Sequence, residues 1–302
     1  MRNHLFSIFS LTLLLGAGSA NAQIIDHSNP SINNNDMVAN QSYNWGPIFL
    51  GGICRLTDKG SSETGTIFSK ERVDITQFET SFVFQILCGG PGDASDGTGN
   101  CADGMTFVIQ NQGVDALGAP GGSMGYAGIT KSVAVKFDTV PNPWDGNPDP
   151  SASSTGLYSG GEIPAGGYDL LRDKINLRSQ HLFRVDMRYD GRELNVRIAD
   201  QETNAVSAQS YSVDIPKRVG GATAFIGFTA ATGLGTASHD LHRWYFASTP
   251  PQSRRVGASL RHKNKGPFSS GVTVAAWPTV TEHPAKATAS RPPAKIRVSS
   301  AE

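Results

Sequence analysis

The sequence predicts an all-β protein folded as a two-sheet sandwich, and three observations carry that prediction. From Gln41 to about Ser248 apolar residues recur at every second position rather than every 3.6. Glycine is abundant, at 34 of 302 residues, as a turn-rich chain requires. No stretch carries the apolar spacing of a long amphipathic helix. Many short strands joined by Gly-rich turns over roughly 200 residues bury a core most simply between two packed sheets.

Residues 1–22 read as an export signal. Arg2 and His4 give a polar start, Leu5 to Leu15 is mostly apolar, and Ala20-Asn21-Ala22 forms a small-x-small cleavage pattern before Gln23. The apolar run falls short of the roughly 20 residues that span a bilayer, and no second run of that length follows. A secreted, periplasmic or extracellular protein without a membrane span is expected. A sandwich over 23–249 comes next, with Gln23 to Gln41, rich in Asn, Ser and Asp, as its irregular lead-in. Phe78, Thr80, Phe82, Phe84 and Ile86 share one face of a strand; Met105 to Ile109 forms another; Val133, Val135 and Phe137 mark a third. The clearest hairpin sets Phe183, Val185, Met187 and Tyr189 before Asp190-Gly191, with Leu194, Val196 and Ile198 after it. Asp-Gly is a turn signal because both residues can take positive φ. Ala222 to Thr229 and Leu241 to Ala247 supply late strands. From 250 to 302 the pattern gives way to Pro, Ala, Ser, Lys and Arg, which bury too little apolar surface to offset ordering entropy. A basic, disordered tail is expected there.

The formal net charge of zero hides an asymmetry. Residues 251–302 hold nine Lys/Arg against two Asp/Glu, so the chain before them is acidic by seven charges. An acidic body lacks the positive field that phosphate binding needs, which argues against nucleic acid as the main ligand. Of the three cysteines, Cys88 and Cys101 bracket a Gly/Asp-rich loop between two strand-like runs. Export permits a bridge between them, contributing about 3 kcal/mol by loop closure. Two buried thiols are the alternative, and Cys54 is left over.

Four loops collect the groups that a sugar needs: a fixed carboxylate acceptor, amide and backbone donors, and an aromatic platform. They are Cys101-Ala102-Asp103-Gly104, then Gly121-Gly122-Ser123-Met124-Gly125-Tyr126, then Phe137-Asp138-Thr139-Val140-Pro141-Asn142, and finally Gly227-Phe228-Thr229-Ala230-Ala231-Thr232-Gly233. With the strands at Leu56-Thr57 and Ser81-Phe82-Val83-Phe84, they make six motifs in one order over about Gly46 to Phe246. Taken together they resemble the legume-type (L-type) lectin family, in an exported, bacterial-like member. The resemblance implies the concanavalin A-like lectin/glucanase fold, a jelly-roll sandwich with a sugar site at the rim of its concave sheet. It also implies roles. Asp103, after a cis peptide at Ala102-Asp103, would accept from two sugar hydroxyls; Gly122 would donate its backbone N–H and Asn142 its side-chain amide. Leu234 and Gly235 would border the pocket. The family's stacking aromatic falls at position 140, which is Val here, and Trp144 is the substitute, with plain packing as its alternative.

The resemblance further implies a metal pair. Asp138, the Val140 carbonyl, Asn142 and Asp149 match the calcium ligands in type and rough spacing, with Asp145 as a substitute for Asp149. The adjacent transition-metal site has a Glu two residues before the first Asp and a His after the Asp-Pro. Lys136 and Ser154 stand there instead, so no manganese is expected, and Lys136 could salt-bridge Asp138 and Asp149. Calcium is expected, weakened by that lysine.

An enzyme of the same fold would need two carboxyl groups about 5 Å apart, on one strand of the sheet. Val135 to Asn142 offers only Asp138 and a lysine, so a glycoside hydrolase is disfavoured. His239 and His242, three apart on a late strand, read as structural. The expectation is a non-catalytic carbohydrate-binding lectin with glycans or glycoconjugates as partners. A structural or surface-interaction module that has lost sugar binding is the alternative. Pairing into a homo-oligomer through sheet edges stays open.

Overall fold

Alternation within Phe78–Cys88 sets the architecture. Phe78, Thr80, Phe82, Phe84, Ile86 and Cys88 are buried, while the residues between them are half-buried or exposed. A strand with one such face must lay it on something apolar, and here that is a second sheet. The computed structural model describes residues 23–27, 36–41, 47–89, 100–142 and 148–248. The expected export signal, the basic tail, Trp144 and Asp145 lie outside the described residues.

Two eight-stranded antiparallel sheets pack face to face. The first runs in the order Val206–Ser212, Glu193–Asp200, Leu182–Tyr189, Phe78–Cys88, Ala237–Ser248, Ile53–Asp58, Ile48–Leu50, with Ile24–His27 also paired to Ala237–Ser248. The second runs Tyr168–Asp169, Ser154–Ser159, Ser132–Asp138, Gly104–Gln110, Thr223–Ala231, Thr64–Ser69, Met37–Gln41, with Val73–Asp74 also paired to Thr223–Ala231. Aromatic rings join the layers: Phe82 meets Phe228 at 4.9 Å and Phe107 at 5.8 Å, Phe84 meets Phe137 at 4.9 Å, and Phe228 meets Trp244 at 5.0 Å.

Three local departures from the sequence reading have physical causes. Ile24–His27 and Met37–Gln41 are strands rather than an irregular lead-in, because each completes a sheet and buries Ile25, His27 or Met37. At the hairpin, Tyr189 pairs with Leu194, and Asp190 receives no positive φ. Its carboxylate instead accepts from the backbone N–H groups of Arg192 and Glu193, and Gly191, at φ 99°, turns the chain alone. Third, Gly104–Gln110 and Ser132–Asp138 are buried on both faces. Their outer side is covered by the 111–131 segment, whose Ala116, Tyr126 and Ile129 pack with Phe68, Val108, Ala134, Tyr158 and Phe225.

The Cys88–Cys101 disulfide is formed, and Cys54 is a buried free thiol. The bridge ties the end of a first-sheet strand to the segment that enters Gly104–Gln110 in the second. Among the described residues no helix is long and apolar enough to cross a membrane.

Candidate functional site

The three longest strands at the centre of the second sheet end together. Gly104 pairs with both Asp138 and Ala231, so the chain before Gly104, after Asp138 and after Ala231 meets at one edge. Asp103 enters this edge after a cis Ala102–Asp103 peptide. Its backbone is held on two sides: its N–H donates to the Ala231 carbonyl at 3.0 Å, and its carbonyl accepts from the Thr139 N–H and hydroxyl, each at 3.0 Å. Asp103 is only 7% exposed, and its Oδ2 is buried without a hydrogen-bond partner. Burial pushes this carboxyl up to about 7. A buried acceptor that the protein itself leaves unpaired is costly in the free protein and suited to a ligand that brings its own hydroxyl groups.

Glycines close over that carboxylate. Gly121, at φ 65°, starts a short helical turn whose N–H donates to the Thr232 carbonyl at 3.0 Å. A Cβ on Gly233 would come within 3.0 Å of Asp103 Oδ2 and 3.3 Å of Gly121 Cα; one on Gly122 would come within 2.9 Å of Asn142 Nδ2. Asp103, Gly121, Gly122, Asn142 and Gly233 therefore lie together at this edge. Gly235 packs below it, where a Cβ would lie 2.5 Å from Ala102 Cβ. Leu234 stands out at 96% exposed, with its carbonyl accepting from the Asn100 amide at 3.3 Å.

Beside Asn142 lies a buried charge cluster. Lys136, wholly inaccessible, donates from Nζ to Asp138 Oδ2 at 3.0 Å, to Asp149 Oδ1 and to the Pro164 carbonyl at 2.8 Å. Asp138 Oδ1 accepts from the Val140 N–H at 2.9 Å, and the Asn142 amide reaches Asp149 Oδ2 at 3.5 Å. Burial raises the Asp138 carboxyl, Lys136 pulls it back, and Asp149 adds to the rise. Ser154, paired in register with Asp138, has a buried hydroxyl oxygen without a partner.

A family model described as the legume lectin domain matches residues 13–261. The chain belongs to the legume lectin family. Members of this family are non-catalytic carbohydrate-binding proteins. A bark agglutinin sequence of Robinia pseudoacacia is 32% identical over 154 residues, covering 49% of this chain and 53% of its own. A lectin of Glycine max is 29% identical over 199 residues, covering 62% of each chain. This legume lectin chain thus spans about half the length of the first relative and about three fifths of the second. Among solved structures, the winged bean acidic lectin complexed with methyl-α-D-galactose aligns at TM-score 0.61 and 22% identity, over 76% of this chain and 99% of that one. Arcelin-5, a lectin-like defence protein from Phaseolus vulgaris, aligns at 0.59 and 19%, over 76% and 99%. These similarities to known structures establish the jelly-roll sandwich.

Legume lectins generally bind calcium and manganese. The transition-metal half does not fit here: an ammonium lies between its carboxylates, and the serine at its histidine position supplies no imidazole. The calcium half fits by chemistry. Asp138, Asp149, the Val140 carbonyl and the Asn142 side chain all offer oxygen donors, the atoms that calcium takes. Among the described residues no group of three or more His, Cys, Asp or Glu is gathered. His239 is buried, bonded to the Thr57 hydroxyl at 2.7 Å, and held down to about 3 by burial, so it stays neutral.

Sequence reasoning missed three contributors: Gly233, which lies against Asp103, Gly121, which packs on Gly233, and Thr139, which grips the Asp103 carbonyl. Repeated glycine in both loops was the available signal. Thr139 carried none, since its contact spans 36 residues.

Proposed function

We propose that this chain is a lectin that holds a glycan over Asp103, with Gly122, Asn142, Leu234 and Gly235 around it. The observation that carries this reading is the buried, unpartnered Oδ2 of Asp103 beside Gly233, where a Cβ would come within 3.0 Å of it. A carboxylate accepts from two neighbouring sugar hydroxyls, while the Gly122 N–H and the Asn142 amide donate to a third. Leu234, exposed, offers an apolar edge to the sugar's C–H face, and Trp144 is the residue we propose for stacking on the sugar.

Calcium assists in this reading. Asp138, Val140, Asn142 and Asp149 would hold the ion, which would fix the Asn142 side chain. We further propose that residues 1–22 direct export, that 23–249 form the lectin domain and that the basic tail from 250 stays outside it.

Glycan-array binding by the mature protein, with and without a chelator, tests the whole reading. Binding of a defined glycan set that weakens on chelation supports it; an array without hits overturns it. A second reading, a sandwich module that has lost sugar binding, draws on the replacement of two metal-ligand positions by Lys136 and Ser154, and an empty array is its expected outcome.

A further inference from the structure

The cluster around Lys136 is built more completely than an incidental ion pair needs to be. An ammonium has three N–H donors, and all three are used, on acceptors from three separate chain segments. Asp138 ends a central strand of the second sheet, Asp149 follows the loop after Asn142, and Pro164 precedes Tyr168–Asp169 at the sheet's edge. The Tyr158 ring lies beneath the ammonium at 5.5 Å to its centroid, adding a fourth favourable face. Lysine is almost never fully buried unless paired, and here it is inaccessible to solvent.

We infer that the Lys136 ammonium serves as a resident cation, doing the positioning work of the family's transition-metal ion, so that the centre takes one external ion rather than two. A divalent ion at this place would bridge carboxylates from two segments and fix the loop between them. Lys136 bridges the same two carboxylates covalently tethered to the sheet, and adds the Pro164 carbonyl that a carboxylate-ligated metal would not need. Asn142 lies beside this cluster, and its amide touches Asp149. Lys136 is thus a positioning residue: it acts on the sugar through Asp149 and Asn142. Its role in sugar recognition rests on the lectin reading above, whereas its role as a cation does not.

The test measures metal content and melting temperature of the full mature chain, without reference to any glycan. Wild type dialysed against manganese, zinc and calcium, then desalted, is expected to retain no transition metal, and added manganese is expected to leave its melting temperature unchanged. Lys136→Met should melt roughly 10 °C lower, because two buried carboxylates lose their partner, and manganese should not restore it. Lys136→Glu combined with Ser154→His should take up about one transition-metal ion per chain and melt higher when manganese is added. Wild type holding a stoichiometric transition metal, Lys136→Met melting like wild type, or a folded double variant that takes up no metal would each overturn the inference. If Lys136→Met does not fold, the wild-type metal measurement decides alone. A wild type that binds no glycan would remove the lectin reading and leave these readouts standing.

Discussion

Asp103 combines two properties that rarely serve stability: it is buried, and one of its oxygens has no partner. Its carboxyl sits near 7, against an ordinary value of about 4. A group raised in this way costs stability when ionised, so the penalty is present above pH 7 and fades as pH falls towards 4. Asp103→Asn should therefore leave the protein as stable as wild type at pH 8, or more stable by about 1 to 3 kcal/mol, as denaturant melts would show. Sugar affinity should move the other way with pH. A protonated carboxyl loses acceptor capacity, so affinity should fall roughly tenfold between pH 8 and pH 6, measured by calorimetry. Gly122 has ordinary backbone geometry, so Gly122→Ala strains nothing but the Asn142 side chain. It should cost under about 1 kcal/mol of stability while weakening sugar binding more than tenfold; equal affinity would remove Gly122 and Asn142 from the site.

At the level of elements, the sheet edge that hosts the site depends on close backbone approach. A Cβ on Gly227 would lie 1.9 Å from the Ile67 carbonyl oxygen, so Gly227→Ala should push Thr223–Ala231 away from Thr64–Ser69 and cost about 3 kcal/mol or more. The Cys88–Cys101 bridge closes a short loop two residues before Asp103. Removing it by double Ser substitution should lower stability by about 3 kcal/mol in chemical denaturation and weaken sugar binding as the Asp103 segment loosens. These elements also show what the sequence could carry. Phe78–Cys88 was legible because one strand face is buried and the other is not. Gly104–Gln110 and Ser132–Asp138 were legible as strands but not as doubly covered ones, since the 111–131 segment has no periodic signature of its own. Asp190 was misplaced in its turn because an aspartate can cap a turn as readily as occupy its centre.

Across the whole molecule, the fold was readable and the site partly so. Asp103, Gly122 and Asn142 stand 39 positions apart at their extremes, yet two adjacent strands bring Asp103 and Asn142 to one edge, and the Gly121 N–H, bonded to the Thr232 carbonyl, brings the Gly122 turn there. Motif order conveyed that meeting; contacts such as Gly233 on Asp103 and Thr139 on its carbonyl did not show, because each depends on which loops a finished sheet brings together. In the proposed lectin, one buried carboxylate, Asp103, grips the sugar. The most direct test is the equilibrium affinity of wild type and Asp103→Asn for the strongest glycan found on the array, by calorimetry at pH 8. A loss of at least a hundredfold is expected, in a variant that melts no lower than wild type. Matching affinities in the two folded proteins would contradict it.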